Sequence, residues 1–126
     1  MTRAIIIIGL GGAVGSIFRW LISQWMEKIL GSGFPWGTLV VNFIGCLLIG
    51  VVIQVTDRPG ISAEWRLLLA TGFCGGFTTF SAFALENLKM LGVGNYQGFF
   101  IYVFGSVVAG VLGVLTGMKM AEFTEA

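Results

Sequence analysis

The sequence predicts an all-α integral membrane protein with four transmembrane helices, and three observations carry that prediction. Hydrophobic residues fill 56% of the 126 positions and charged residues only 10%, with a mean hydropathy of +0.95; soluble globular chains carry roughly 25% charged residues. Apolar runs recur four times, each near or above the roughly 20 residues a helix needs to cross about 30 Å of hydrocarbon. The segments between them are short and hold six of the thirteen charged residues and both prolines.

The first span runs from about Ala4 to Met26. Arg3 followed by the run Ile5 to Val14 has the look of a signal peptide, but the hydrophobicity continues to Met26 and no clear cleavage site follows, so a membrane helix is expected. The second span, Trp36 to Val55, follows "EKILGSGFP"; the third, Leu67 to Leu91, follows "TDRPGISAEWR"; the fourth, Tyr96 to Met118, follows "GVG". Short loops make successive helices antiparallel neighbours, so one four-helix domain over residues 1–126 is expected, with no room for a soluble module. No tandem repeat is visible.

Several function classes drop out on composition. A net charge of +1 without a basic stripe argues against nucleic acid as a partner. There is no histidine, which excludes Ser/His and Cys/His nucleophiles, and most acids stand at segment ends, which leaves little support for a carboxylate pair. Cys46 and Cys74 lie in apolar stretches without metal-ligand spacing and are expected as reduced, buried thiols. "GLGGAVG" follows no predicted strand and lacks the third glycine of a dinucleotide loop. An enzyme is not expected.

Orientation follows the Lys/Arg bias of the loops. One side carries Arg3, Arg58, Arg66 and Lys119, the other Lys28 and Lys89. A bias this weak permits insertion both ways round, and with it an antiparallel homodimer; equally, it is enough to fix one orientation. Charges alone leave both open.

Glycine supplies 20 of the 126 residues, roughly double the usual share of about 7%. Gly11 and Gly15, then Gly12 and Ser16, stand four apart in the first span, and Gly105, Ala109, Gly113 and Gly117 form a row in the fourth. Such small-xxx-small rows let membrane helices pack closely.

Polar residues inside the spans are costly unless paired or facing water. The candidates among them are Arg19, Thr38, Asn42, Thr78, Thr79, Ser81, Glu86, Tyr102 and Ser106. Arg19 is placed to snorkel or to act inside; Asn42 to glue helices or to donate its amide to an anion. Tyr102 and Ser106 are four apart on one face, continued by Gly110, a polar track or two hydroxyls satisfied by neighbours.

The third span carries the strongest anomaly. Gly75, Gly76, Thr78 and Thr79 fall at its middle, where each glycine costs about 1 kcal/mol of helix propensity, so a helix break near the midplane is expected. Freed backbone groups at that depth are tolerable only inside protein or facing water or an ion. Their carbonyls are suitable ligands for a dehydrated monovalent cation, and an antiparallel dimer would carry its axis through this depth. Just beyond, Phe80 and Phe83 share a face; ring edges are positive and can meet a small anion, or the pair is ordinary packing.

The stretch "GGFTTFSAFALE", with "GTLVVNFIGC" upstream and "GGAVGSIFRW" near the start, closely resembles the Fluc (CrcB) family of bacterial fluoride channels. The resemblance covers essentially the whole chain. It implies an antiparallel dual-topology homodimer in the bacterial inner (plasma) membrane, with two pores that passively drain cytoplasmic fluoride and confer fluoride resistance. By motif position, Phe80 and Phe83 match the family's pore-lining phenylalanines and Asn42 its pore asparagine. Gly75 and Thr78 match the residues whose carbonyls hold a structural sodium ion between subunits. Thr38, Thr79, Ser81, Tyr102 and Ser106 resemble its polar residues along the pore, Glu86 its glutamate on the same helix and Arg19 its vestibule arginine.

The sequence departs from that pattern at Ala82, where a hydroxyl residue is common, and at Gly110, where serine is frequent; altered conduction, not lost function, is the expectation. Two other classes compete. A small multidrug or guanidinium exporter shares the size and dual topology, but it needs a buried glutamate in the first span, and none is present. A non-transporting scaffold explains the glycine rows but neither the midspan break nor Asn42.

Overall fold

The structure is a computed structural model and describes residues 1–124; Glu125 and Ala126 of the expected domain lie outside the described residues. The first two spans are α1 (Thr2–Leu30) and α2 (Trp36–Thr56). The third begins as α3 (Ala63–Arg66), continues through a π-helical segment (Leu67–Cys74) and the short α4 (Gly75–Phe77), and resumes as α5 (Phe80–Gly92). The fourth is α6 (Tyr96–Phe123). Four stretches are therefore long and apolar enough to cross a membrane, and the chain is a multi-pass membrane protein.

Each helix outruns its apolar stretch, since the backbone stays helical where the side chains turn polar near the interface. A glycine with positive φ stands in each of the three connections, Gly31 (79°), Gly60 (89°) and Gly94 (74°), a conformation that side-chain-bearing residues rarely adopt. Asn95 accepts the amide of Gly98 at 2.9 Å and so caps α6. At one end of the bundle Arg3 pairs with Glu64 at 2.8 Å and Arg66 with Asp57 at 2.7 Å; both pairs are exposed and contribute little stability.

Packing follows the glycines. Helix α1 lies against the π-helical segment and α4, and α2 lies against α6. A Cβ on Gly11 would strike the Leu68 carbonyl, one on Gly15 the Phe73 carbonyl, and one on Gly76 the Gly12 carbonyl, so these backbones touch directly. Across the other interface Gly50 faces the Val114 carbonyl and Gly117 the Leu47 carbonyl. The row on α6 is divided, because Gly113 and Gly117 are buried against α2 while Gly105 has open space around it.

Backbone regularity fails at two places in the third span. Leu67–Cys74 is wound more loosely, with i→i+5 hydrogen bonding. Gly75 and Gly76 are helical, and the extended backbone falls instead on Thr78 (φ −83°, ψ 159°) and Thr79 (φ −148°, ψ 121°).

Candidate functional site

The extended pair at Thr78–Thr79 is held from both sides by side chains. From α2, Asn42 donates its amide to the Thr79 carbonyl at 3.0 Å and accepts the Thr79 N–H at 2.8 Å, satisfying both backbone groups of that residue. Thr78 donates its hydroxyl and its N–H to the Cys74 carbonyl at 2.9 and 3.0 Å. The Thr79 hydroxyl accepts the Ala82 N–H at 3.2 Å, capping α5, and lies 3.2 Å from the Ser81 hydroxyl.

These substitutions of partner change which carbonyls are engaged. In an unbroken α-helix the Thr79 amide would bond the Gly75 carbonyl and the Ala82 amide the Thr78 carbonyl. Here the first is given to Asn42 and the second to the Thr79 side chain. The Gly76 carbonyl, between them, accepts from Arg19 Nε at 3.1 Å and stands 3.4 Å from the Ser16 hydroxyl. Arg19 is therefore directed into the bundle at the third span, not only out to the interface.

An open cavity of about 490 Å³ lies beside the extended segment, lined in part by Asn42, Thr78, Thr79, Phe80, Phe83 and Ser106. Gly75, Cys46 and Cys74 also reach it, and both cysteines are free thiols. The Ser106 hydroxyl is buried and has no hydrogen-bond partner among the described residues, so a donor is available at this wall. Phe80 is 79% exposed on the protomer, and its ring centroid lies 5.8 Å from that of Phe83.

From Phe83 the contacts continue into the protein. Its ring packs on Tyr102 at 5.0 Å, and Phe34, a residue the sequence pattern did not single out, also packs on Tyr102, at 5.4 Å. Tyr102 is 1% exposed and donates its hydroxyl to Glu86 Oε2 at 2.6 Å, while Thr38 donates to Glu86 Oε1 at 2.6 Å. Glu86 and Thr38 also line a second cavity of about 490 Å³, together with Ser23, Glu27, Lys89 and Met90 among others. Of the expected polar residues, Asn42, Thr78, Thr79 and Ser106 line the first cavity and Thr38 and Glu86 the second; Arg19, Ser81 and Tyr102 line neither, and Tyr102 joins the two groups through its contacts with Phe83 and Glu86.

Ala82 and Gly110, where the sequence leaves the pattern of the Fluc (CrcB) family, line neither cavity. A Cβ at Gly110 would meet Cys46 Sγ at 3.4 Å. Sequence reasoning also passed over Asn87, which is buried at 6% exposure one turn beyond Phe83; its position four residues after Phe83 in an apolar span was the available signal.

Comparison with known proteins places the chain. Residues 6–118 match the family described as CrcB-like protein, Camphor Resistance (CrcB). A protein of Phocaeicola vulgatus named fluoride-specific ion channel FluC is 47% identical over 95% of this chain and 99% of its own length. A protein of the same name from Leptospira interrogans is 47% identical over 96% of both chains, and one from Rhizobium johnstonii is 45% identical over 91% of this chain and 93% of its own. These relatives are named as ion channels, not as enzymes. With a family match over nearly its whole length and relatives of near-equal size, this chain belongs to the CrcB family.

Proposed function

We propose that the protein is a fluoride-specific ion channel that works as an antiparallel homodimer, with two pores through which fluoride leaves the cytoplasm by passive electrodiffusion. The single observation that carries the reading is the first cavity, where a polar backbone break, an amide, a free hydroxyl and two phenylalanine rings meet inside an otherwise apolar chain. Relatives named for the same activity support it.

Fluoride is small and strongly hydrated, so the pore must replace its water with weak donors placed in series. Asn42 has a second amide N–H beyond the one given to Thr79, and Ser106 has an uncommitted hydroxyl. The Phe80 and Phe83 ring edges supply positive C–H groups. Thr79 and Ser81 add hydroxyls near the same wall. Chloride, being larger, fits such a lane poorly. No single contact is strong enough to trap the ion. Beyond Phe83 the route passes Tyr102, Thr38 and Glu86 to the second cavity; Arg19 adds positive charge beside the break.

Phe80, largely exposed on the protomer, and Gly75, also exposed, suit a face that a second inverted copy would cover. The sodium ion implied by the family suits the same place. The Gly75 and Thr78 carbonyls, whose helical donors are committed elsewhere, are neutral oxygen ligands of the kind a hard monovalent cation takes. Bound there by carbonyls of both copies, the ion would supply positive potential and tie the broken spans together. A bacterial inner-membrane location and a role in fluoride resistance follow from this activity.

The test is efflux from liposomes. Purified protein reconstituted into vesicles loaded with potassium fluoride should release fluoride to an ion-selective electrode once the membrane potential is collapsed with valinomycin. Release no faster than from protein-free vesicles would sink the reading.

A further inference from the structure

The second cavity lies at one end of the bundle. Its walls include Gly31, Phe34 and Pro35 from the connection between α1 and α2, and Val93 and Asn95 from the connection after α5. Irregular backbone of this kind belongs outside the hydrocarbon, so this is where the fluoride route described above meets water.

Three charged side chains line that mouth: Glu27 near the end of α1, and Glu86 and Lys89 on α5. The first cavity has no charged side chain in its wall. An anion arriving from water therefore faces two carboxylates and one ammonium. The carboxylates alone would repel the ion that the mouth has to admit.

The ammonium is uncommitted. Among the described residues Lys89 makes no ion pair and no side-chain hydrogen bond. Its neighbour by helical spacing is Glu86, three residues earlier, but the two Glu86 oxygens already accept the Thr38 and Tyr102 hydroxyls at 2.6 Å. Lys89 and Glu27 are both exposed, so a mobile ion senses both charges. Arg19 lines neither cavity and gives its Nε to the Gly76 carbonyl. Lys89 is thus the one cation in the wall of either cavity.

From this placement we infer that Lys89 is the residue that admits fluoride to the second cavity: its ammonium offsets Glu27 and Glu86 at the mouth and concentrates the anion there, and Glu27 works against it. The inference rests on the fluoride-channel reading above. It makes the rate of entry a balance between side chains of two helices.

A lysine in the last turn of a helix commonly does no more than complement the helix's carbonyl ends. That role bears on folding and leaves the ion's approach unchanged, so the test reads flux against ionic strength. Fluoride efflux from liposomes is measured with both sides at about 10 mM total salt, or both brought to about 0.5 M with impermeant potassium gluconate, which shortens the Debye length from about 30 Å to about 4 Å. At low salt Lys89→Gln should release fluoride about three- to tenfold more slowly than wild type, the scale of charge steering, while Lys89→Arg stays within about twofold and Glu27→Gln is faster than wild type. At high salt all the rates should converge to within about twofold.

A Lys89→Gln rate equal to wild type at low salt, or a deficit of the same size at both ionic strengths, would overturn the inference. Wild-type protein that fails to conduct would overturn the channel reading instead. Size exclusion checks the dimer content of each variant. If Lys89→Gln does not yield folded protein, Glu27→Gln decides by the same measure: a gain confined to low salt supports the inference, and an unchanged rate overturns it.

Discussion

Asn42 and Thr79 exchange two hydrogen bonds, 3.0 and 2.8 Å long, which fasten the middle of α2 to the extended backbone of the third span. One side chain thus does the work that the next helical turn would have done. It also leaves one amide N–H over.

Replacing Asn42 separates those two roles. Asn42→Leu orphans a donor and an acceptor inside the bundle, each costing about 1–3 kcal/mol, and should lower the melting temperature in detergent and abolish efflux together. Asn42→Asp keeps an acceptor for the Thr79 N–H and should retain more stability than Asn42→Leu, yet it places a carboxylate in the anion cavity and should conduct at least tenfold less than wild type. Near-native flux from Asn42→Asp would remove Asn42 from the path.

How much of this was legible in the sequence depends on which periodicity carries it. Hydropathy located the four spans to within a few residues, because lipid imposes a single rule over about 20 positions. It could not place the helix ends, where the polar turns of α1 up to Leu30 and α6 up to Phe123 extend beyond the apolar core. The Gly75–Thr79 cluster was visible as an anomaly. That the glycines stay helical while the threonines extend was not, since it depends on Asn42 reaching over from α2 and on Gly76 packing against Gly12. The looser winding over Leu67–Cys74 has no local signature in its apolar sequence. Tyr102 and Glu86 were both singled out, but their shared hydrogen bond joins residues 16 apart on different helices, and no spacing rule reaches that far.

The glycine rows make a prediction about stability alone. A Cβ at Gly15 would strike the Phe73 carbonyl and sit 2.9 Å from the Phe77 N, both backbone atoms that cannot move aside. Gly15→Ala should destabilise by about 1–3 kcal/mol or more, as overpacked cores do. Gly9, on the same helix, has nothing within 4 Å, and Gly9→Ala should be neutral or stabilising by up to about 1 kcal/mol. Thermal unfolding followed by intrinsic fluorescence measures both, and equal shifts would show that α1 does not pack through Gly15.

The phenylalanine pair should divide by stability but not by flux. Phe80→Ile and Phe83→Ile each keep an apolar side chain and remove the ring edge, so both should cut fluoride efflux at least tenfold with the dimer preserved. Both variants lose the Phe80–Phe83 ring contact at 5.8 Å, and Phe83→Ile loses in addition the one with Tyr102 at 5.0 Å, worth about 0.5–1.5 kcal/mol. Wild-type rates in both variants would mean that the rings are packing and nothing more.

Cation removal tests the carbonyls of Gly75 and Thr78. Protein purified and assayed with N-methylglucamine in place of sodium should conduct fluoride more slowly, and its melting temperature should recover on adding sodium but not on adding the same concentration of choline. A response indifferent to the cation would leave those carbonyls without an ion to hold.

Gly75 offers the sharpest test of a second copy. Within one protomer a Cβ there would meet only the Ala70 carbonyl, at 3.9 Å, an ordinary contact. The folded protomer therefore has room for a side chain at this position. If Gly75 instead faces its equivalent across a two-fold axis, a bulky side chain would hold the two copies apart. Gly75→Leu should accordingly leave helix content by circular dichroism unchanged, run as a monomer by light scattering in detergent, and give no fluoride efflux. A Gly75→Leu protein that remains dimeric and conducts at the wild-type rate would place this glycine away from the subunit contact.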